Sequence, residues 1–159
     1  RQQRYLEFWT AFSERLYEHD PSVGAKPPKD SWWMLSLGRA GFGLTFTAVA
    51  RDRWIGVEIY VSDDPDKLIF DHFHAQKDVI EQEFGDSLEW EPLKDRKGCR
   101  IASRRRQVDP MDRTRWPGYF DWYLDRADRF RRVFTKRVRR LDLGALAADA
   151  SSALEPETG

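Results

Sequence analysis

The sequence predicts an α+β fold: one antiparallel sheet of about five strands packed with three helices, in the order α-β-β-β-α-β-β-α. Three features carry that expectation. Between Trp32 and Val61 lie two runs in which every second residue is apolar, Phe42, Leu44, Phe46 and Ala48, then Ile55, Val57, Ile59 and Val61. Strand side chains alternate between two faces, so two such runs joined by a short turn describe a hairpin with one buried face. That face needs a cover, and the segments before and after it carry apolar residues at helical spacing. The strands also follow one another through short turns, which favours antiparallel neighbours.

Taken in order, Tyr5, Phe8, Trp9, Phe12 and Leu16 form the apolar stripe of a first helix, ended by His19-Asp20-Pro21. Ser22 to Asp30, with Gly24 and Pro27-Pro28, is a loop. Trp33, Leu35 and Leu37 share one side of a short strand, and Gly38, Gly41 and Gly43 permit the tight return into the strand from Phe42 to Ala50. Arg51-Asp52-Arg53 turns the chain into Trp54 to Val61. A single helix is expected next, capped by Asp63 or Asp64 with Pro65 at its first position, faced by Ile69, Phe70, Phe73, Ile80 and Phe84, and stopped by Gly85. Leu88 to Glu91 and Cys99 to Arg104 alternate as strands. Beyond Pro110 a long helix carries Trp116, Phe120, Tyr123, Ala127, Phe130, Phe134, Val138 and Leu141 at spacings of three and four. Residues 1–142 are therefore expected to form one α+β domain, and residues 143–159, rich in Ala, Ser and acidic groups, a weakly ordered tail or weak helix.

A length of 159 residues, 34% charged and 14% aromatic, fits a soluble domain able to bury a core. No apolar run approaches the roughly 20 residues that cross a bilayer, so no membrane partner is expected. The lone Cys99 excludes an internal disulfide and fits a reducing cytoplasm. A chain that opens on Arg1 rather than Met is what a segment of a longer protein would show, and a processed chain would show the same. Net charge is zero, yet unevenly spread. Arg1 to Leu93 holds 10 Lys/Arg against 17 Asp/Glu, while Lys94 to Arg140 holds 17 against 6. Such a basic block either pairs with the acidic half of its own domain or marks a phosphate-binding surface.

Four places could carry function. The basic stretch is the first: Arg104, Arg105 and Arg106 end a strand, and Arg129, Arg132, Lys136 and Arg140 share one face of the last long helix. Lined up in this way they would give salt-sensitive, sequence-blind contacts to nucleic-acid phosphates. The second is the sheet face opposite the aliphatic one, where Trp54, Glu58 and Tyr60 point, with Thr45 and Thr47 beside them. Aromatic groups there either stack on bases or are simply core beneath the long helix. The third is the glycine-rich turn around Arg39, able to expose N–H groups to a phosphate but without the Lys-Ser/Thr ending of a nucleotide loop. The fourth, Asp95-Arg96-Lys97, matches half of a restriction-endonuclease-like metal site, yet it falls in a turn and no upstream Asp is placed to share the ion. His72 and His74 diverge by roughly 200° on a helix and cannot share a metal. Neither a metal nor a cofactor is expected, and no catalytic residue is assigned.

Several stretches together resemble a bacterial domain-of-unknown-function family: Gln3-Arg4-Tyr5-Leu6-Glu7-Phe8-Trp9, Gly38-Arg39-Ala40-Gly41-Phe42, Ile55-Gly56-Val57-Glu58-Ile59-Tyr60, Gln76 with Ile80-Glu81, Leu88-Glu89-Trp90, and the Trp116 to Phe134 helix. The resemblance runs to about Leu141. It implies a module often found C-terminal to a restriction-endonuclease-like domain, hence a role beside DNA processing or defence, and supplies no catalytic residues. The expected function is thus a non-catalytic accessory module that binds nucleic acid through the basic helix stripe or positions a nuclease domain. A protein-interaction or dimerisation domain is the alternative, and a metal-dependent nuclease the third reading.

Overall fold

In the computed structural model, which describes residues 1–154, a five-stranded sheet carries its helices on one side. The elements are α1 (Gln2–His19), β1 (Trp32–Ser36), β2 (Phe42–Val49), β3 (Trp54–Val61), α2 (Leu68–His74), α3 (Lys77–Phe84), β4 (Glu89–Glu91), β5 (Cys99–Arg106), α4 (Trp116–Arg139) and α5 (Leu143–Leu154). A short 3-10 turn, Arg113–Arg115, leads into α4. Every strand pair is antiparallel, in the spatial order β1-β2-β3-β5-β4. The predicted class and hairpins are those observed.

Register explains the core. Leu35, Leu44, Ile59 and Ile101 stand opposite one another across four strands, and Trp33, Phe46 and Val57 form the next row. Against these rows pack α1 and α4. Phe12 meets Phe46 edge-on with ring centroids 4.9 Å apart, and Tyr123 lies 5.3 Å from the same ring. Tyr123 is fully buried, and its hydroxyl donates to the Thr47 carbonyl at 2.6 Å, so its polar end is satisfied inside the core. Trp9 does likewise, donating to the Asp30 carbonyl at 2.8 Å. Further along α4, Phe134 meets Phe73 and Phe130 meets Phe84, which docks α2 and α3 on the same layer.

Two expectations are corrected. The single helix predicted from Pro65 to Gly85 is two helices. Asp64 does act as the cap, but its carboxylate accepts from the N–H groups of Ile69 and Phe70 at 3.0 and 2.9 Å, so α2 starts at Leu68 and Pro65 stays in the preceding turn. The helix then breaks at Ala75 and Gln76, where the Gln76 amide folds back to the His72 carbonyl at 3.2 Å. Gly85 stops α3 with a φ of 90°, as its lack of a side chain allows. The helix count is therefore higher than the three expected, also because α5 occupies Leu143–Leu154, in the stretch anticipated as a weak helix or tail; residues 155–159 of that stretch lie outside the described residues.

Candidate functional site

The sheet's second face is the more informative one. In one row across it stand Met34, Thr45, Glu58 and Ala102; in the next, Trp32, Thr47, Gly56 and Arg104. Among the described residues no helix covers this face, and Trp32 and Met34 are 48% and 44% exposed. The side chains enclose a pocket of about 380 Å³. Thr45, Thr47 and Glu58 are its buried floor, Trp54 and Tyr60 its half-buried walls, and Trp32, Met34 and Arg96 its exposed rim. Gly56 keeps the floor low, because a Cβ there would come within 2.7 Å of the Thr47 hydroxyl.

Charge in the pocket is held in an unusual way. Glu58 is 3% exposed, and its ion-pair partner Arg100 stands 3.8 Å away, past hydrogen-bond reach. Burial pushes the Glu58 carboxyl up from the ordinary glutamate range, while the guanidinium groups of Arg100 and Arg104 oppose the shift. Arg104 itself is taken: it bonds Glu91 and Glu89, and lies 4.9 Å over the ring of Trp54. Arg106 pairs with Glu89 as well, at 2.5 Å, and that hydrogen bond holds the Glu89 carboxyl below its usual range. The hydroxyls of Thr45 and Thr47 have no hydrogen-bond partner among the described residues.

The helix stripe expected from the sequence is largely engaged within the domain. Arg129 pairs with Asp125 at 3.0 Å and donates to the Phe84 carbonyl, and Arg132 donates to the Glu83 carbonyl. Arg137 pairs with Glu83 and Arg126 with Asp86. These contacts tie α4 to α3, joining the basic and acidic halves of the chain. Lys136 and Arg140 remain exposed at the far end of α4, and Arg105 lies over Tyr119. Of the residues named for a phosphate-binding band, Arg104, Arg106, Arg129 and Arg132 thus each have a partner within the domain.

Arg39 is engaged as well. It donates to the carbonyls of Val138 and Leu141 at 2.9 and 2.7 Å, closing the C-terminal end of α4. Asp95 and Lys97 sit exposed in the turn before β5, with Lys97 4.0 Å from Asp63. Among the described residues no group of three or more His, Cys, Asp and Glu side chains is arranged to hold a metal ion. The Cys99 thiol is pushed up to about 12 by burial and the adjacent Asp64, which suits a packed strand residue rather than a nucleophile.

Sequence reasoning missed two parts of the site. Trp32 and Met34 alternate with the core residues Trp33 and Leu35, and that alternation is the signal that could have placed them beside Glu58. The second part is a hollow of about 640 Å³ that adjoins the pocket through Ser31 and Val49. Arg4, Arg51 and Arg53 line it, exposed and without an ion-pair partner among the described residues, and Arg1 stands with them. They come from α1 and the β2–β3 turn, far apart in sequence and each unremarkable alone.

Fold and site together define an open-faced α+β sandwich: a core layer of helices behind a sheet whose front carries aromatic rings, a buried carboxylate and a basic margin. The chain belongs to the family described as Domain of unknown function (DUF4268), whose model matches residues 4–138. No curated protein and no solved structure matches it.

Proposed function

We propose that this domain is a non-catalytic module that binds single-stranded nucleic acid across the open face of its sheet. The observation that carries this reading is the uncovered face itself, with Trp32, Trp54 and Tyr60 around the Glu58 pocket and Arg4, Arg51 and Arg53 at its margin. Bases offer flat faces to aromatic side chains whatever their identity, and unpaired guanidinium groups at one edge meet the phosphates. A duplex keeps its bases stacked inside and cannot offer them to the sheet. The family resemblance in the sequence extends the reading: the module acts in the cytoplasm beside a restriction-endonuclease-like domain, holding a strand or positioning that domain during DNA processing or defence.

Anisotropy titration of labelled single strands and duplexes at rising salt tests this. Single strands are expected to bind more tightly than duplexes. Arg51→Glu with Arg53→Glu should lower the salt slope by about one for each phosphate the protein no longer touches. Neutralising Arg129 and Arg132 should leave the slope where it was. Duplex binding that depends on Arg129 and Arg132, or no binding at low salt, would sink the proposal.

One observation favours a second reading. Trp32 and Met34 are exposed on β1, an edge strand of the sheet, and such an edge can pair with another chain. Light scattering across protein concentration separates the two, since an edge-paired dimer would grow with concentration and disappear on Met34→Lys.

A further inference from the structure

We infer that the pocket around Glu58 reads one unpaired guanine base of DNA or RNA through that base's donor edge. This rests on the proposed single-strand role of the open face and adds a base preference to it.

The floor of the pocket holds polar atoms that the fold itself does not use. Thr45 and Thr47 are 6% and 7% exposed, and neither hydroxyl has a partner among the described residues. Buried polar groups are almost always satisfied, so two unpartnered hydroxyls at the floor of one cavity leave hydrogen-bonding capacity there unused. Glu58 stands directly opposite Thr45 on the neighbouring strand, and with Arg100 3.8 Å away its oxygens keep acceptor capacity. Arg100 also lines the pocket, with its Nε 3.5 Å from Glu91 on its other side.

Chemistry then selects the base. A carboxylate only accepts hydrogen bonds, so its partner must present donors. Guanine's pairing edge carries two adjacent donors, the N1–H and the 2-amino group, which match the two oxygens of Glu58. Adenine and cytosine place an acceptor nitrogen beside their amino group, and thymine or uracil flanks its single N–H with two carbonyls. Each would turn lone pairs toward the carboxylate. Guanine's O6 lies beside N1–H and accepts, and the Arg100 guanidinium, whose Nη1 is on the Glu58 side of the pocket, supplies a donor for it. The cavity of about 380 Å³ falls at the small end of ligand sites. Tyr60 and Trp32 offer rings for stacking, while Trp54 is held in place by Arg104 above it.

Tryptophan fluorescence and calorimetry on the full chain test this, with short dT strands carrying one central dG, inosine, dA or dC, or none, and matched RNA strands. The dG strand is expected to bind about tenfold more tightly than plain dT, as a bidentate contact allows. Inosine, which lacks the 2-amino donor, should lose most of that gain. Glu58→Gln should abolish the preference for the dG strand over plain dT, and Thr47→Val should weaken the dG strand several-fold. The base comparison uses the unaltered chain, so it decides the matter even if a variant fails to fold. Whichever of DNA or RNA shows the stronger guanine preference identifies the natural strand. Equal affinity for all strands, or a preference for dA or dC, overturns the guanine pocket and leaves the single-strand role standing. Absence of binding to every strand overturns both.

Discussion

The two faces of one sheet are built from alternate residues of the same strands, yet they obey different rules. Behind, Phe46, Val57 and Ile59 are wholly buried under α1 and α4, and the polar tips that reach this layer from Tyr123 and Trp9 are bonded. In front, Thr45, Thr47 and Glu58 are nearly as buried, but their polar atoms are unbonded or only loosely paired. Equal burial thus conceals opposite energetics. The rear face lowers the free energy of the fold, whereas the front face carries desolvated polar groups at a cost. Natural proteins tend to break local rules of this kind where they work.

The contrast can be tested by changing one face at a time. Phe46→Ala should have the largest effect, a loss of about 3–5 kcal/mol in urea unfolding, because it opens a void between Phe12 and Tyr123. Trp32→Ala on the other face should change stability by less than about 0.5 kcal/mol, as exposed positions do, while weakening single-strand binding by about 1 kcal/mol or more as a stacking platform is removed. If Trp32→Ala unfolds the protein as Phe46→Ala does, the distinction between the faces is wrong.

Glu58 gives the smallest and sharpest test. Its folded-state pKa lies above its unfolded one, so the native state holds the proton more tightly. The stability it contributes is therefore present at acid pH and lost as pH rises through the window between an ordinary glutamate value and its raised folded value. Arg100 and Arg104 from β5 oppose the rise, and Glu91 from β4 adds to it. Asp86 and Glu89 work the other way. Held below their usual range by the Ser87 N–H and by Arg106, they contribute stability that is lost as pH falls through their folded values. Glu58→Gln should accordingly raise stability at neutral pH by on the order of 1 kcal/mol, and flatten the Glu58 part of the pH profile. Chemical denaturation from pH 4 to pH 8 reads it, and a destabilised Gln variant would show that Arg100 needs the charge more than burial penalises it.

Much of this architecture was legible in advance because it rests on periodicity. Period two placed Leu44, Phe46, Ile55, Val57 and Ile59 on one face, and period three-and-four gave α1 and α4 their stripes. Trp54, Glu58 and Tyr60 were assigned to the opposite face by the same rule. The remainder depended on pairings that no local pattern records. Arg129 and Arg132 look like a free stripe until α3 is folded against them, and their partners lie about forty to fifty positions away. The break between α2 and α3 was hidden because Ile69, Phe73, Ile80 and Phe84 keep an apolar spacing through it. Nor could periodicity say that the front of the sheet stays bare, since a strand's alternation is the same whether or not something covers it.

Arg39 has one more consequence. By gripping the carbonyls of both Val138 and Leu141, it fastens the exit of the longest helix to the glycine hinge between the first two strands. The family match stops at residue 138, so a chain trimmed to that boundary keeps one of these anchor points and loses the other. The segment after α4 is thus joined to the turn between β1 and β2 by this guanidinium, beside the packing of α5 on α2.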